Sequence, residues 1–215
     1  MKKKTENIIV IILFIFIPFM SFADDDKYFF ELNNHPQIDL RAVSNGTYKS
    51  IEIEIQNFGD SSTTIHFPPG GIFLNLNKKE QNLAILYYDK IEVNPNEKKY
   101  LSLHTACANP DRIVPKKGRT TWDFSYDRKL SELLIYYVQN QSMIEMLTGK
   151  EYHTTFEKRH NFLQMCVWVY YDAEKDQIVD FATKNLFNGN KEQAKAFVDL
   201  FYPIAVNFIK VYKNM

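Results

Sequence analysis

The stretch Ser50-Ile51-Glu52-Ile53-Glu54-Ile55-Gln56 alternates apolar and polar side chains without a break. A period of two is that of a β-strand, whose successive side chains point to opposite faces; a helix repeats every 3.6 residues. One face of this strand is expected to be buried and the other wet. The neighbouring segments extend the pattern. Residues 63–67 are β-branched and aromatic, and Pro68-Pro69-Gly70-Gly71 then breaks the run as a turn. Ile72-Phe73-Leu74 follows, then a polar loop at residues 77–80. Residues 83–88 are almost continuously apolar, which suits an interior strand, Asn94-Pro95-Asn96 is a second turn, and residues 99–106 alternate again. Short strands at this spacing, with no helical crossovers between them, predict an antiparallel β-sandwich over residues 24–124.

After Trp122 the period changes to that of helices. Asp127 is placed to cap a helix with Leu130, Leu133, Leu134, Tyr137 and Val138 on one stripe and Gly149 just beyond its end. A second helix is predicted over residues 155–171, buried on most sides from Phe162 onward. Asp172 caps a third, with Ile178, Phe181, Ala182 and Leu186 inward, and Asn188-Gly189 stops it. Asn190 and Gln193 have the spacing of a capping box and open a last helix to about residue 213, in which Pro203 predicts a kink. The fold class expected is α+β: the sandwich packed against a C-terminal helical part, residues 125–215, around a shared core.

Composition excludes several classes of function. The chain has 215 residues, 26 basic against 26 acidic groups, 45% hydrophobic residues, and few Gly and Pro. It is too apolar for a disordered chain, and its two cysteines cannot staple a disulfide-dense miniature fold. Residues 1–23 read as a secretory signal peptide. Lys2, Lys3 and Lys4 precede an apolar run over residues 8–19, shorter than a membrane span, and Ser21-Phe22-Ala23 supplies the small residues for cleavage after Ala23. The mature chain, residues 24–215, is expected to be one domain, secreted or periplasmic, with no membrane span. Its 23 basic against 25 acidic groups offer no pull toward nucleic acid.

Candidate chemistry is sparse. Cys107 and Cys166 are the only cysteines. In an exported chain a disulfide closing a loop of roughly 60 residues, worth about 4 kcal/mol in the chain-entropy model, is the first reading; free thiols and a functional thiol are the alternatives. His153 and His160 lie seven residues apart with Glu157 between them, but no third ligand completes a metal site, so solvated helix residues are expected and no metal. Lys116-Lys117-Gly118-Arg119 reads as a solvated basic loop. No cofactor motif, phosphate loop or nucleophile elbow occurs. The paired aromatics Tyr87-Tyr88, Tyr136-Tyr137, Tyr170-Tyr171 and Phe201-Tyr202 read chiefly as core and boundary packing, with a carbohydrate or peptide groove as the alternative.

Four short motifs carry a resemblance: Phe67-x-Pro69-Gly70-x-x-Phe73, then Gln81-Asn82-Leu83, then Cys107-Ala108-Asn109, then Pro115-x-x-Gly118. With Leu163-Gln164-Met165-Cys166-Val167-Trp168 on a later helix, they resemble the thioester domains of bacterial surface adhesins over residues 60–172. In that family a Cys bonds to the side-chain carbonyl of a separate, later Gln, and the resulting electrophile captures amines. The resemblance implies a thioester-like site at Cys107, Gln164 and Trp168. It also places the helix beside the cysteine, so that Cys166 lies near Cys107 and a disulfide stands in place of the thioester. The chain departs from the family at Ala106, Leu163 and Cys166, and it ends in helices, with Gln177 and Gln193 in polar helical settings rather than in a last strand. The function expected is therefore non-enzymatic: a secreted or periplasmic binding or structural module for an unknown protein or glycan ligand. Covalent adhesion through Cys107, and a hydrolase with a dispersed site, are the alternatives.

Overall fold

The structure is a computed structural model that describes residues 26–148 and 155–214. The expected signal peptide and His153 lie outside the described residues. Among the described residues nine strands and a short 3-10 turn precede five helices, an α+β architecture with the strands in the N-terminal part and the helices in the C-terminal part.

The strands are β1 (Asp26–Tyr28), β2 (Ile38–Ser44), β3 (Ser50–Asn57), β4 (Thr63–Phe67), β5 (Gly71–Asn75), β6 (Leu83–Ile85), β7 (Asp89–Val93), β8 (Lys98–Cys107) and β9 (Trp122–Tyr126). They form two sheets, one of three strands in the order β1-β4-β7 and one of six in the order β2-β3-β8-β6-β5-β9. The alternating segment is β3, and Ile51, Ile53 and Ile55 are fully buried while Glu52 is exposed. The antiparallel expectation fails at one pair. β1 runs parallel to β4, with Lys27 opposite Ile65. The apolar run at 83–88 forms a strand only to Ile85, since β7 begins at Asp89 and the chain must turn between them.

The Pro68-Pro69-Gly70-Gly71 turn requires glycine at its third position. Gly70 has φ +79, and a Cβ there would lie 2.6 Å from the backbone nitrogen of Ser131 in the first helix. The turn is thereby pressed against that helix, and the Asp127 N–H donates to the Gly70 carbonyl at 2.9 Å.

The helices are α1 (Arg128–Gln139), α2 (Gln141–Thr148), α3 (Phe156–Tyr170), α4 (Lys175–Asn185) and α5 (Lys191–Lys213). Asp127 caps α1 by accepting from Leu130 N, as its position predicts. The helix stops at Asn140, however, and α2 follows, where one helix reaching toward Gly149 was expected. Asp172 does not cap α4. It takes φ +55 at the end of α3, and Glu174 is the N-cap, with Gln177 accepting from the Glu174 N–H. Asn188 and Gly189, both at positive φ, end the turn after α4. Asn190 caps α5, which continues unbroken through Pro203. Residues 162–168 of α3 are all buried, because the helix lies between β8 and α5. One apolar cluster runs from Ile51 and Phe67 in the sheets to Trp168, Phe181 and Val198 in the helices.

Candidate functional site

Cys107 ends β8 and Gln164 lies midway along α3, each almost wholly shielded from solvent. The Gln164 side chain bonds both main-chain polar groups of Cys107. The Cys107 N–H donates to Gln164 Oε1 at 2.7 Å, and Gln164 Nε2 donates to the Cys107 carbonyl at 2.7 Å. A primary amide supplies one acceptor and two donors, so a single side chain here does what a paired strand would do. Trp168, one turn further along α3, is fully buried; its indole N–H has no hydrogen bond of normal geometry but lies close enough to the Cys107 sulfur to favour the thiolate. Burial outweighs that effect and pushes the Cys107 thiol up to about 12.

The structure thus brings together Cys107, Gln164 and Trp168, the three residues that the resemblance singles out. It does not bridge Cys107 to Cys166. Both are buried free thiols. The helix explains why. Gln164 and Trp168 are about 40° apart around α3, whereas Cys166 is turned about 160° from each. Cys166 lies instead on the side of Tyr137 in α1, and burial raises its thiol as well.

The histidines separate. His160 is buried rather than solvated, and burial, aided by Lys49 and His104, lowers its pKa to about 4. Among the described residues no group of three His, Cys, Asp or Glu side chains could hold a metal ion. The basic loop also divides. Lys116 and Lys117 are exposed, but Arg119 forms a two-bond pair with the fully buried Glu80, at 3.0 Å from Nε and 2.7 Å from Nη2. Asn75 and Asn77 donate to the same carboxylate, and the Arg119 hydrogen bonds lower its pKa. Of the paired aromatics, Tyr137 and Phe201 are core, and the hydroxyls of Tyr170 and Tyr171 converge on Asp127 at 3.0 and 3.2 Å.

In comparisons with known proteins, no family model, no curated protein and no solved structure matches the chain. Its functional reading rests on its own residues.

A second feature lies at the edges of the six-stranded sheet. β2 and β9 are its two end strands, and a groove of about 880 Å³ runs between them, lined by Leu40, Ala42, Trp122 and Phe124, with Phe58 and Leu74 exposed on its walls. Five successive antiparallel pairings separate the two edges, so β2 and β9 run in opposite directions. Both ends of the groove are closed by hydrogen bonds. At one end the Ser44 N–H donates to the Arg119 carbonyl and the Gly118 N–H to the Ser44 carbonyl, at 2.9 and 2.7 Å. At the other, Asn33 Nδ2 donates to the Phe124 carbonyl at 3.2 Å, and the Ile38 N–H donates to His35 Nδ1 at 3.2 Å. Glu80 acts on this site indirectly, by holding Arg119 in the closing loop. The sequence reading passed over β2, although Ile38-Asp39-Leu40-Arg41-Ala42 alternates apolar and polar side chains as β3 does.

Proposed function

We propose that the mature chain is an exported, non-enzymatic binding module that holds its ligand in the groove between β2 and β9. The observation that carries this reading is the pair of sheet edges, joined to no further strand among the described residues, that face one another across about 880 Å³. A sheet edge left open is a template for binding unless it is covered or blunted. Cys107, Cys166 and His160, whose pKa values burial shifts, lie in the core, and none lines the groove. Export is carried by the signal-like residues 1–23.

The test is retention. The immobilised mature protein is expected to retain a component of the exported fraction of its source cells. A Phe58→Asp, Leu74→Lys variant, altered only at exposed groove positions, is expected to lose it. Retention unchanged by that variant, or covalent uptake of methylamine at Cys107, would overturn the proposal; the second result would favour thioester adhesion.

A further inference from the structure

We infer that the groove between β2 and β9 takes an extended polypeptide segment as an added strand, hydrogen-bonded to both edges at once. The inference rests on the groove being the binding site and names the class of ligand.

The direction of the main-chain groups carries it. Along an antiparallel strand the N–H and C=O of one residue point to the same side, and the side alternates with each residue. Ser44 and Ile38 direct their N–H groups away from β3, to Arg119 and His35. Leu40 and Ala42, two and four residues from Ile38, therefore direct theirs the same way, into the groove. On the opposite wall the Asp127 N–H and the Thr121 carbonyl are bonded to Gly70 and Leu76, on the β5 side. Trp122 and Phe124 are out of phase with those residues and face the groove, as the Asn33 bond to the Phe124 carbonyl requires. The β2 wall thus presents two residues' worth of donors and acceptors, and the β9 wall two donors and the Trp122 carbonyl, the Phe124 carbonyl being held by Asn33; among the described residues neither edge is paired to another strand.

Size agrees with this occupant. A strand residue fills about 160 Å³, from a rise of about 3.3 Å, a strand spacing of about 4.8 Å and a layer about 10 Å deep, so the groove holds about five residues. Direct closure of β2 on β9 would leave no such space. Because the two edges are antiparallel, the guest runs parallel to one and antiparallel to the other. Side chains fix its pattern. Its inward positions meet Leu40, Ala42, Trp122 and Phe124, and its outward positions pass between Asp39 and Arg41 on one wall and Asp123 on the other. Two acids against one base favour Lys or Arg outward, so the ligand is a segment alternating apolar with polar or basic residues.

The experiment uses displayed random seven-residue peptides, selected on the immobilised mature protein and counter-selected on the Phe58→Asp, Leu74→Lys variant. Alternating apolar-polar peptides are expected. On binding they should slow amide exchange at Leu40, Ala42, Trp122 and Phe124. N-methylation of either alternate set of peptide amides should weaken binding about tenfold, since each set serves one edge. Ala42→Pro, which removes a groove donor without taking a bond from β3, should do the same. The peptide-side change keeps the test intact if that variant does not fold. Sensitivity to only one methylated set, exchange protection elsewhere, or failure to recover groove-dependent peptides would overturn the inference. Retention by wild type and not by the double variant, with no such peptides, would leave the groove as the binding site of a different ligand.

Discussion

Gln164 is hydrogen-bonded through both ends of its amide to the main chain of Cys107, at 2.7 Å each, and so joins the last residue of β8 to the centre of α3. Each bond is formed in the core, where neither partner can turn to water. Loss of the side chain leaves a buried N–H and C=O without partners. Gln164→Ala is expected to cost about 2–4 kcal/mol, and Gln164→Glu no less, because a carboxylate there can still accept from the Cys107 N–H but cannot donate to the carbonyl and buries an unpaired charge. Urea denaturation midpoints read both. An unchanged midpoint in either variant would show that the contact carries no stability.

The two thiols give the second prediction. Both are buried and unbridged, and burial raises both pKa values, so the reactive thiolate is scarce. Native protein at pH 8 is expected to resist a thiol reagent, and protein in denaturant to react at both residues. Intact mass should be the same with and without reductant. A mass lower by a pair of hydrogen atoms would establish the disulfide, and one lower by ammonia the thioester.

His160 predicts a loss of stability in mild acid. Its pKa falls from 6.5 to about 4 on folding, chiefly by burial. The depressed value means that the unfolded chain takes up a proton first as the pH drops. Stability is therefore full above pH 6.5 and declines toward pH 4, by up to about 3 kcal/mol if the whole shift is expressed. His160→Gln should flatten denaturation midpoints over that window. A histidine that titrates normally by NMR would contradict the prediction.

Glu80 and Arg119 act at lower pH. Arg119 holds the Glu80 carboxyl below its ordinary 4.5, so this stability is present above that value and is lost as the pH falls through the folded pKa. Arg119→Met leaves a fully buried carboxylate with only Asn75 and Asn77 as side-chain partners. We expect a cost of about 2–3 kcal/mol, below the full cost of breaking a buried pair because Arg119 is partly exposed. Because the closing loop hangs on this pair, faster amide exchange at Ser44 and Gly118 should accompany the loss. Exchange that stays slow there would mean that the loop is held by other contacts.

Much of the fold was legible because it depends on local periodicity. The alternation at residues 50–56 identified β3, Asp127 and Asn190 marked two helix starts, and the density of apolar residues after Phe162 marked α3 as buried. The failures were of two kinds. The break at Asn140 and the short β6 are matters of where the chain can turn, which tertiary packing decides. The parallel β1 and the edge position of β2 are matters of strand order, for which a strand's own pattern holds no signal.

The site divides along the same line. Motif spacing placed Gln164 and Trp168 four residues apart, and a helix puts residues so spaced on one face whatever surrounds it. Which face meets Cys107 was decided by packing, and with it that Cys166 points elsewhere. The groove had no sequence signature. Residue pattern along the chain sets which side chains alternate and where helices begin, because those are short-range properties. Whether two edges some eighty residues apart close on each other or stay open is set by how a six-stranded sheet curls over its core. That distance is crossed only in the folded molecule.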